Sequence, residues 1–272
     1  MYMNNFVKRT FSGFFFVTLI IGSILLSRYY VFLLVFSFIT GYTVHEFHKL
    51  TNLQIDVHVS KWWGVIGGVL LFVTSYFFSA KTFAYPAFSV YGFYVLIVLI
   101  AELYRQKSNP IHNWAYFMLG QMLIALPFSL LNFILFIHDW QPLILIALFV
   151  TIWVNDSGAY LVGVTFGKHR LFERISPKKS WEGFIGGAFA ALLSGYIFSL
   201  YIPHLTLLQW MIFSEIIVIF GTFGDLSESL LKRTIHVKDS GKMIPGHGGL
   251  LDRFDSMLMA APVIFIYLSF LF

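Results

Sequence analysis

The sequence predicts an all-α, polytopic integral membrane protein with about nine transmembrane helices and a cytoplasmic N-terminus. Three observations carry that expectation. Hydrophobic residues make up 58% of the 272 residues and charged ones only 11%, against roughly 25% charged in ordinary soluble domains. Apolar runs recur at about the length, roughly 20 residues, that a helix needs to cross a hydrocarbon core of about 30 Å. With the N-terminus placed inside, sixteen of the eighteen Lys and Arg residues fall on one side, as the positive-inside rule requires.

The first run, 11–27, follows Lys8 and Arg9. A secretory leader begins in the same way, but no small-residue cleavage site follows, so this run is expected to remain a span. Arg28 separates it from the second, 29–45, which opens on Tyr29 and Tyr30. The third, 62–80, opens on Trp62 and Trp63, and the fourth covers 86–104. Trp114 starts the fifth, 114–137, and Trp140 precedes the sixth, 142–165. The seventh, 183–201, closes on Tyr201, and 207–224 and 257–272 complete the set. Aromatic residues at such positions are interfacial anchors. The inside segments are then 1–10, 46–61, 105–113, 166–182 and 225–256, and of the basic residues only Arg28 and Lys81 lie outside.

The chain divides by character. Residues 1–140 have short loops and scattered polar groups and are read as scaffold; residues 141–272 carry the two long cytoplasmic loops, 166–182 and 225–256, with ten of the eighteen basic residues. His45, Glu46, His48 and Lys49 imitate a metal cluster but are read as the polar end of an interfacial helix. No internal repeat suggests the inverted halves of a transporter. The absence of cysteine excludes disulfides, thiolate catalysis and Cys-ligated metal sites. The net charge of +5 is spread over the loops, which suits anionic headgroups and argues against nucleic acid.

The chemistry is expected between Ser229 and Asp255, where eight charged residues surround a glycine-rich turn. Charge beside lipid is costly unless paired, hydrated or bound to a ligand. Asp252 and Asp255 are three apart at a helix start and share a face. Asp225 closes the eighth span on the same side. Converging carboxylates repel one another, and a hard divalent cation such as Mg²⁺ replaces repulsion with coordination. Ahead of that helix, Pro245, Gly246, His247, Gly248 and Gly249 form a turn whose backbone N–H groups can approach a phosphate, between Lys238, Lys242 and the acids. Lys178 and Lys179, flanked by Ser176 and Ser180, offer cations before the seventh span. Asp156, beside Asn155 inside the sixth span, needs a partner, a cavity or a proton. Glu228 and Lys232 have i,i+4 spacing, leaving Arg233 free for a phosphate.

Ser229, Leu231, Lys232, Arg233, Lys238, Asp239, Gly241, Ile244, Pro245, His247, Gly248, Gly249, Leu250, Asp252, Arg253, Phe254 and Asp255 reproduce, with spacing intact, the signature of the phosphatidate cytidylyltransferase (CDP-diacylglycerol synthase) family. So long a mixed pattern is far more specific than a short glycine motif. NDSGAYLVGVTFGKHRL and SPKKSWEG upstream also resemble family stretches, so the likeness covers residues 150–272, while 1–140 are similar only in being helical. The resemblance implies an integral membrane enzyme that joins CTP to phosphatidic acid at the bilayer, giving CDP-diacylglycerol and pyrophosphate, with Mg²⁺ required and a homodimer as the assembly. It puts the metal-binding acids on Asp225, Asp252 and Asp255. The expected catalytic set is Asp225, Lys232, Arg233, Asp252, Arg253 and Asp255. The expected substrate-binding set is Asp156, Lys178, Lys179, Ser229, Lys238, Lys242, His247, Gly248 and Gly249. Whether one or two cations bind is left open. Two rivals stay compatible with the residues: a CTP-dependent polyprenol or phytol kinase, and, from another class, an ion or anion transporter.

Overall fold

Nine helices, one short hairpin and their connections make up the described residues of the computed structural model, which are 2–27, 30–243 and 248–272, with side chains from Thr10 onward. The helices are α1 (Tyr2–Leu25), α2 (Val31–Thr51), α3 (Lys61–Ser79), α4 (Ala87–Tyr104) and α5 (Pro110–Leu135) in the first half. The second half contains α6 (Pro142–Phe166), α7 (Trp181–Tyr201), α8 (Leu207–Thr234) and α9 (Leu251–Ser269). Each expected span falls on one of them. Seven, α2 to α8, are long and apolar enough to cross a membrane. The apolar part of α1, Thr10–Leu25, is shorter. The first turns of α9 carry Asp252, Arg253 and Asp255, which lowers its hydropathy.

Local chemistry explains the ends. Pro110 and Pro142 open α5 and α6, at the first helical position where a missing N–H costs nothing. Thr206 and Gln209 form a reciprocal capping box at the start of α8. Inside α5 a π-helical turn spans Gln121–Ala125, directly before Pro127, whose ring cannot fit the regular i→i−4 ladder. Buried polar side chains bond across helices, as a low-dielectric setting demands. Gln121 Nε2 donates to the Gly64 carbonyl (3.1 Å), and Asn132 Nδ2 donates to Ser75 Oγ (2.7 Å) and the Phe72 carbonyl (3.1 Å).

One apolar core runs through both halves of the chain. Phe254 of α9, 2% exposed, is its hub. Its ring lies 5.6 Å from Phe16, 6.4 Å from Phe36, 5.1 Å from Phe128 and 6.2 Å from Phe149. Four helices, α1, α2, α5 and α6, therefore grip α9 at the residue between its acids, and that grip sets the rotation of Asp252 and Asp255. On the opposite face α9 lies close to α8 because Gly224 has no side chain. A Cβ there would meet the Asp255 carbonyl and come within 3.1 Å of Ser256 Cα.

The expected loops are smaller than the apolar runs imply. Residues 225–234 continue α8, and α9 has already begun at Leu251, so the second loop reduces to 235–250. The first is not pure coil: β1 (Arg170–Phe172) and β2 (Ser176–Ser180) pair antiparallel, with Arg170 opposite Ser180 and Phe172 opposite Ser176. This hairpin is the one β-sheet among the described residues of a mostly helical chain.

Candidate active site

The face of α8 that packs against α9 supplies most of the site. Asp225, Glu228, Ser229 and Lys232 recur at three and four residues, so they form one ridge along the helix. The close approach allowed by Gly224 brings α9 against that ridge. The result is a cluster of Asp225, Glu228 and Asp255, each offering a carboxylate oxygen, with these atoms within 4.8 Å of one another. Glu228 is 5% exposed, and its Oε1 is buried with no hydrogen-bond partner among the described residues. Three anions packed this closely, one with an unsatisfied oxygen, fit a cation. Hard divalent ions take carboxylate oxygens in just such sets.

Asp252 was expected among these ligands, and its carboxylate is engaged elsewhere. Oδ1 accepts from Lys232 Nζ at 2.8 Å; Oδ2 accepts from Ser240 N at 3.0 Å and Gly249 N at 2.8 Å. Ser240 and Gly249, on either side of the glycine-rich turn, are thereby gathered on one side chain at the first turn of α9. Lys232, 12% exposed along its side chain, joins Asp252 to Glu228, with which it also forms an ion pair. Gly248 adopts φ 84°, a left-handed conformation open to glycine. The Gly249 N–H points back at Asp252 and is not free for an anion.

The hairpin brings the other charges. Lys179 on β2 forms an ion pair with Asp225, both side chains about 30% exposed. Glu182, in the first turn of α7, holds the hairpin: it accepts from Lys168 N (3.1 Å) and His169 N (3.2 Å), and its Oε1 pairs with His169 Nδ1 at 2.6 Å. Ser180 caps α7 by accepting from Gly183 N at 3.1 Å. Between α6, the hairpin, α8 and α9 lies a cleft of about 260 Å³ whose lining includes Asp156, Tyr160, Lys178, Lys179, Thr222 and Asp225. Asp156 is exposed on the cleft wall, Asn155 Nδ2 donates to it at 3.4 Å, and it interacts electrostatically with Lys179, Asp225, Arg253 and Asp255. Ser229 Oγ donates to Asp225 Oδ1 at 3.3 Å.

The expected residues thus fall into groups. Asp225, Asp255, Asp156, Lys178, Lys179 and Ser229 surround the cleft and the acidic cluster; Lys232, Asp252 and Gly249 lock the loop beside it. Arg233, Lys238, Lys242 and Arg253 are exposed, with no ion pair within 4 Å among the described residues. His247, with Ile244, Pro245 and Gly246, lies outside the described residues. Two contributors escape a reading of spacing. Glu228 looks like half of an i,i+4 pair, although its three-residue offset from Asp225 is the signal for a shared face. Glu46, read as an interfacial helix end, is 2% exposed and lies against the signature loop; its signal is a carboxylate inside an apolar helix.

These features define a multi-pass membrane protein with a carboxylate cluster suited to a cation, beside a cleft whose lysines suit an anion. The chain belongs to the cytidylyltransferase family, whose model matches residues 7–271. It is 49% identical over 124 residues to the phosphatidate cytidylyltransferase of Bacillus subtilis strain 168, covering 44% of this chain and 45% of that protein. It is 37% identical over 186 residues to the phosphatidate cytidylyltransferase of Rickettsia felis, covering 64% of this chain and 80% of that protein. The Staphylococcus saprophyticus phosphatidate cytidylyltransferase is 43% identical over 121 residues, 44% of this chain and 46% of that protein. The matched stretches therefore span less than half of the Bacillus and Staphylococcus proteins' length.

Proposed function

We propose that this chain is a metal-dependent phosphatidate cytidylyltransferase, converting CTP and phosphatidic acid to CDP-diacylglycerol and pyrophosphate. One observation carries the reading most: the Asp225, Glu228 and Asp255 carboxylates converge beside a cleft lined by Lys178 and Lys179, in a chain of the cytidylyltransferase family. In the reaction a phosphate oxygen of phosphatidate forms a new bond to the α-phosphorus of CTP. The bond from that phosphorus to the bridging oxygen of the β-phosphate breaks, and pyrophosphate leaves. The nucleophile is already ionised at neutral pH, so no strong general base is needed, which agrees with a site rich in Asp and Lys.

Both reactants are polyanions, and bringing them together is the central electrostatic problem. Asp225, Glu228 and Asp255 would hold Mg²⁺, which when bound neutralises phosphate charge and polarises the triphosphate. Lys178 and Lys179 bind anionic oxygens in the cleft and stabilise charge as it spreads onto the leaving group. Lys232 and Asp252 hold the glycine-rich loop beside the acids. Arg233, Lys238, Lys242 and Arg253, exposed around this region, offer further cations to CTP or to the lipid headgroup.

The same proposal puts the N-terminus and the cleft on the cytoplasmic side, supported by the sixteen basic residues gathered there. Headgroup and water-borne CTP then meet while the acyl chains stay in lipid. Residues 141–272 carry the reacting groups and 1–140 support them; a homodimer is the assembly. The test is the fate of label in detergent, without a membrane gradient. Label from [α-³²P]CTP is expected in the lipid product, and label from the γ position in pyrophosphate. Transfer of γ-label to lipid would establish a kinase, and absence of CTP turnover with phosphatidate would refute the reading.

A further inference from the structure

Ser240 and Leu251, on either side of the glycine-rich turn, are held from the first half of the chain. Glu46 lies on α2, 205 residues from its main partner, and its Oε2 accepts from Leu251 N at 2.9 Å. Ser240 Oγ donates to the same oxygen at 3.4 Å. Leu250, at the N-cap position of α9, has an apolar side chain that cannot accept that N–H. A helix start leaves N–H groups without intrahelical partners and carries partial positive charge, so a buried carboxylate there is both a cap and an electrostatic match. The loop is fitted to this side chain: a Cβ on Gly249 would fall 2.5 Å from Glu46 Oε2 and 2.7 Å from Oε1. Gly241 meets the same carboxylate from the other strand of the loop.

Two acids therefore converge on Ser240 and on the residues that open α9. Asp252 takes the backbone N–H groups of Ser240 and Gly249, and Glu46 takes the Ser240 hydroxyl and the Leu251 N–H. Ser240 is bound to both. Glu46 belongs to α2, which is anchored in the core through Phe36 and Phe47, both fully buried, so its carboxylate is a fixed point and the loop is what it fixes. Asp255 follows four residues after Leu251, one helical turn on. Any shift in the start of α9 is passed to Asp255 and the acidic cluster.

We infer that Glu46 is a positioning residue, which holds Ser240, Gly249 and the start of α9 in the arrangement that receives CTP. The inference rests on the proposed cytidylyltransferase reaction. Its geometric core is reach: Gln keeps the acceptor at the same distance without the charge, whereas Asp keeps the charge and is one methylene too short.

The test compares Glu46→Ala, Glu46→Asp and Glu46→Gln in the full-length protein in detergent, with kinetics for CTP and phosphatidate and hydrogen exchange of residues 240–251. Groups that orient a metal site at one remove typically change activity by about 10- to 100-fold. Glu46→Ala and Glu46→Asp are expected to lower kcat/KM for CTP by about that factor, mainly through KM for CTP, with faster exchange in 240–251. Glu46→Gln, which keeps the acceptor and loses only the charge, is expected to retain most of both. A merely structural role would lower the folded, active fraction, and so kcat, with KM for CTP unchanged; that result overturns the inference. So would wild-type exchange in Glu46→Ala, or a Glu46→Asp variant more active than Glu46→Gln. Should Glu46→Ala not fold, the contrast between Asp and Gln decides. If the wild type itself transfers no α-label, the proposed reaction fails, and the exchange data still judge Glu46 separately.

Discussion

Glu228→Gln separates a cation site from a salt-bridge role, because the two predict opposite effects. In the metal-free protein the Glu228 carboxylate lies within 4.8 Å of both Asp225 and Asp255. Two unit charges at that distance repel by on the order of 3 kcal/mol at an effective dielectric constant of about 20. Removing the Glu228 charge relieves two such repulsions. It also ends an ion pair with Lys232, but Lys232 keeps Asp252 at 2.8 Å. Metal-free Glu228→Gln should therefore melt no lower than wild type, while the Mg²⁺ concentration for half-maximal activity rises by about 10- to 100-fold. Thermal melting in EDTA and a Mg²⁺ titration of CDP-diacylglycerol formation measure the two quantities. A large loss of melting temperature with an unchanged Mg²⁺ requirement would refute the argument and leave Glu228 as the structural partner of Lys232.

Lys179→Ala removes the cleft cation that pairs with Asp225. It should lower kcat/KM for CTP by about tenfold, as loss of a charged hydrogen-bond partner does, measured by steady-state kinetics. Gly224→Ala pushes α8 from α9, where a Cβ would lie 3.1 Å from Ser256 Cα. It should cost about 1–3 kcal/mol of stability and reduce turnover, read by thermal melting and the label-transfer assay. Orientation is open to direct measurement because the chain has no cysteine. In intact cells Lys81→Cys should react with a membrane-impermeant maleimide, and Arg174→Cys, on the hairpin loop, only after permeabilisation.

Hydrophobic patterning locates the nine helices of the described residues, seven of them long and apolar enough to cross a membrane, because a span demands an unbroken apolar run. It places their ends less well. The apolar run of α8 stops at Gly224, yet the helix continues to Thr234, since its backbone bonds need no lipid and Asp225, Glu228 and Lys232 find partners along one face. Similarly α9 starts at Leu251 although the oil begins near Met257, because Phe254 is buried among four other rings while Asp252 and Asp255 point elsewhere. The hairpin at 170–180 leaves little trace in a basic, proline-containing loop. It depends on Glu182 reaching back to Lys168 and His169.

The site was legible as a region and less so as a set of contacts. Asp225 and Asp255 are far apart in sequence, and their meeting depends on Gly224, a residue with no chemistry of its own. Asp252 carries the same side chain as Asp255 three residues away, yet the turn of the helix gives one to the loop and the other to the cluster. Glu46 lies 205 residues from Leu251, and no local spacing connects them. A carboxylate in an apolar helix asks for a partner without naming it.

The most direct measurement is to locate a bound divalent ion by anomalous diffraction from crystals grown with Mn²⁺ in place of Mg²⁺. The account predicts a peak coordinated by Asp225, Glu228 and Asp255, weakened in Glu228→Gln. A peak on Asp252 away from that cluster, or no peak there in protein that still makes CDP-diacylglycerol with Mn²⁺, would contradict it.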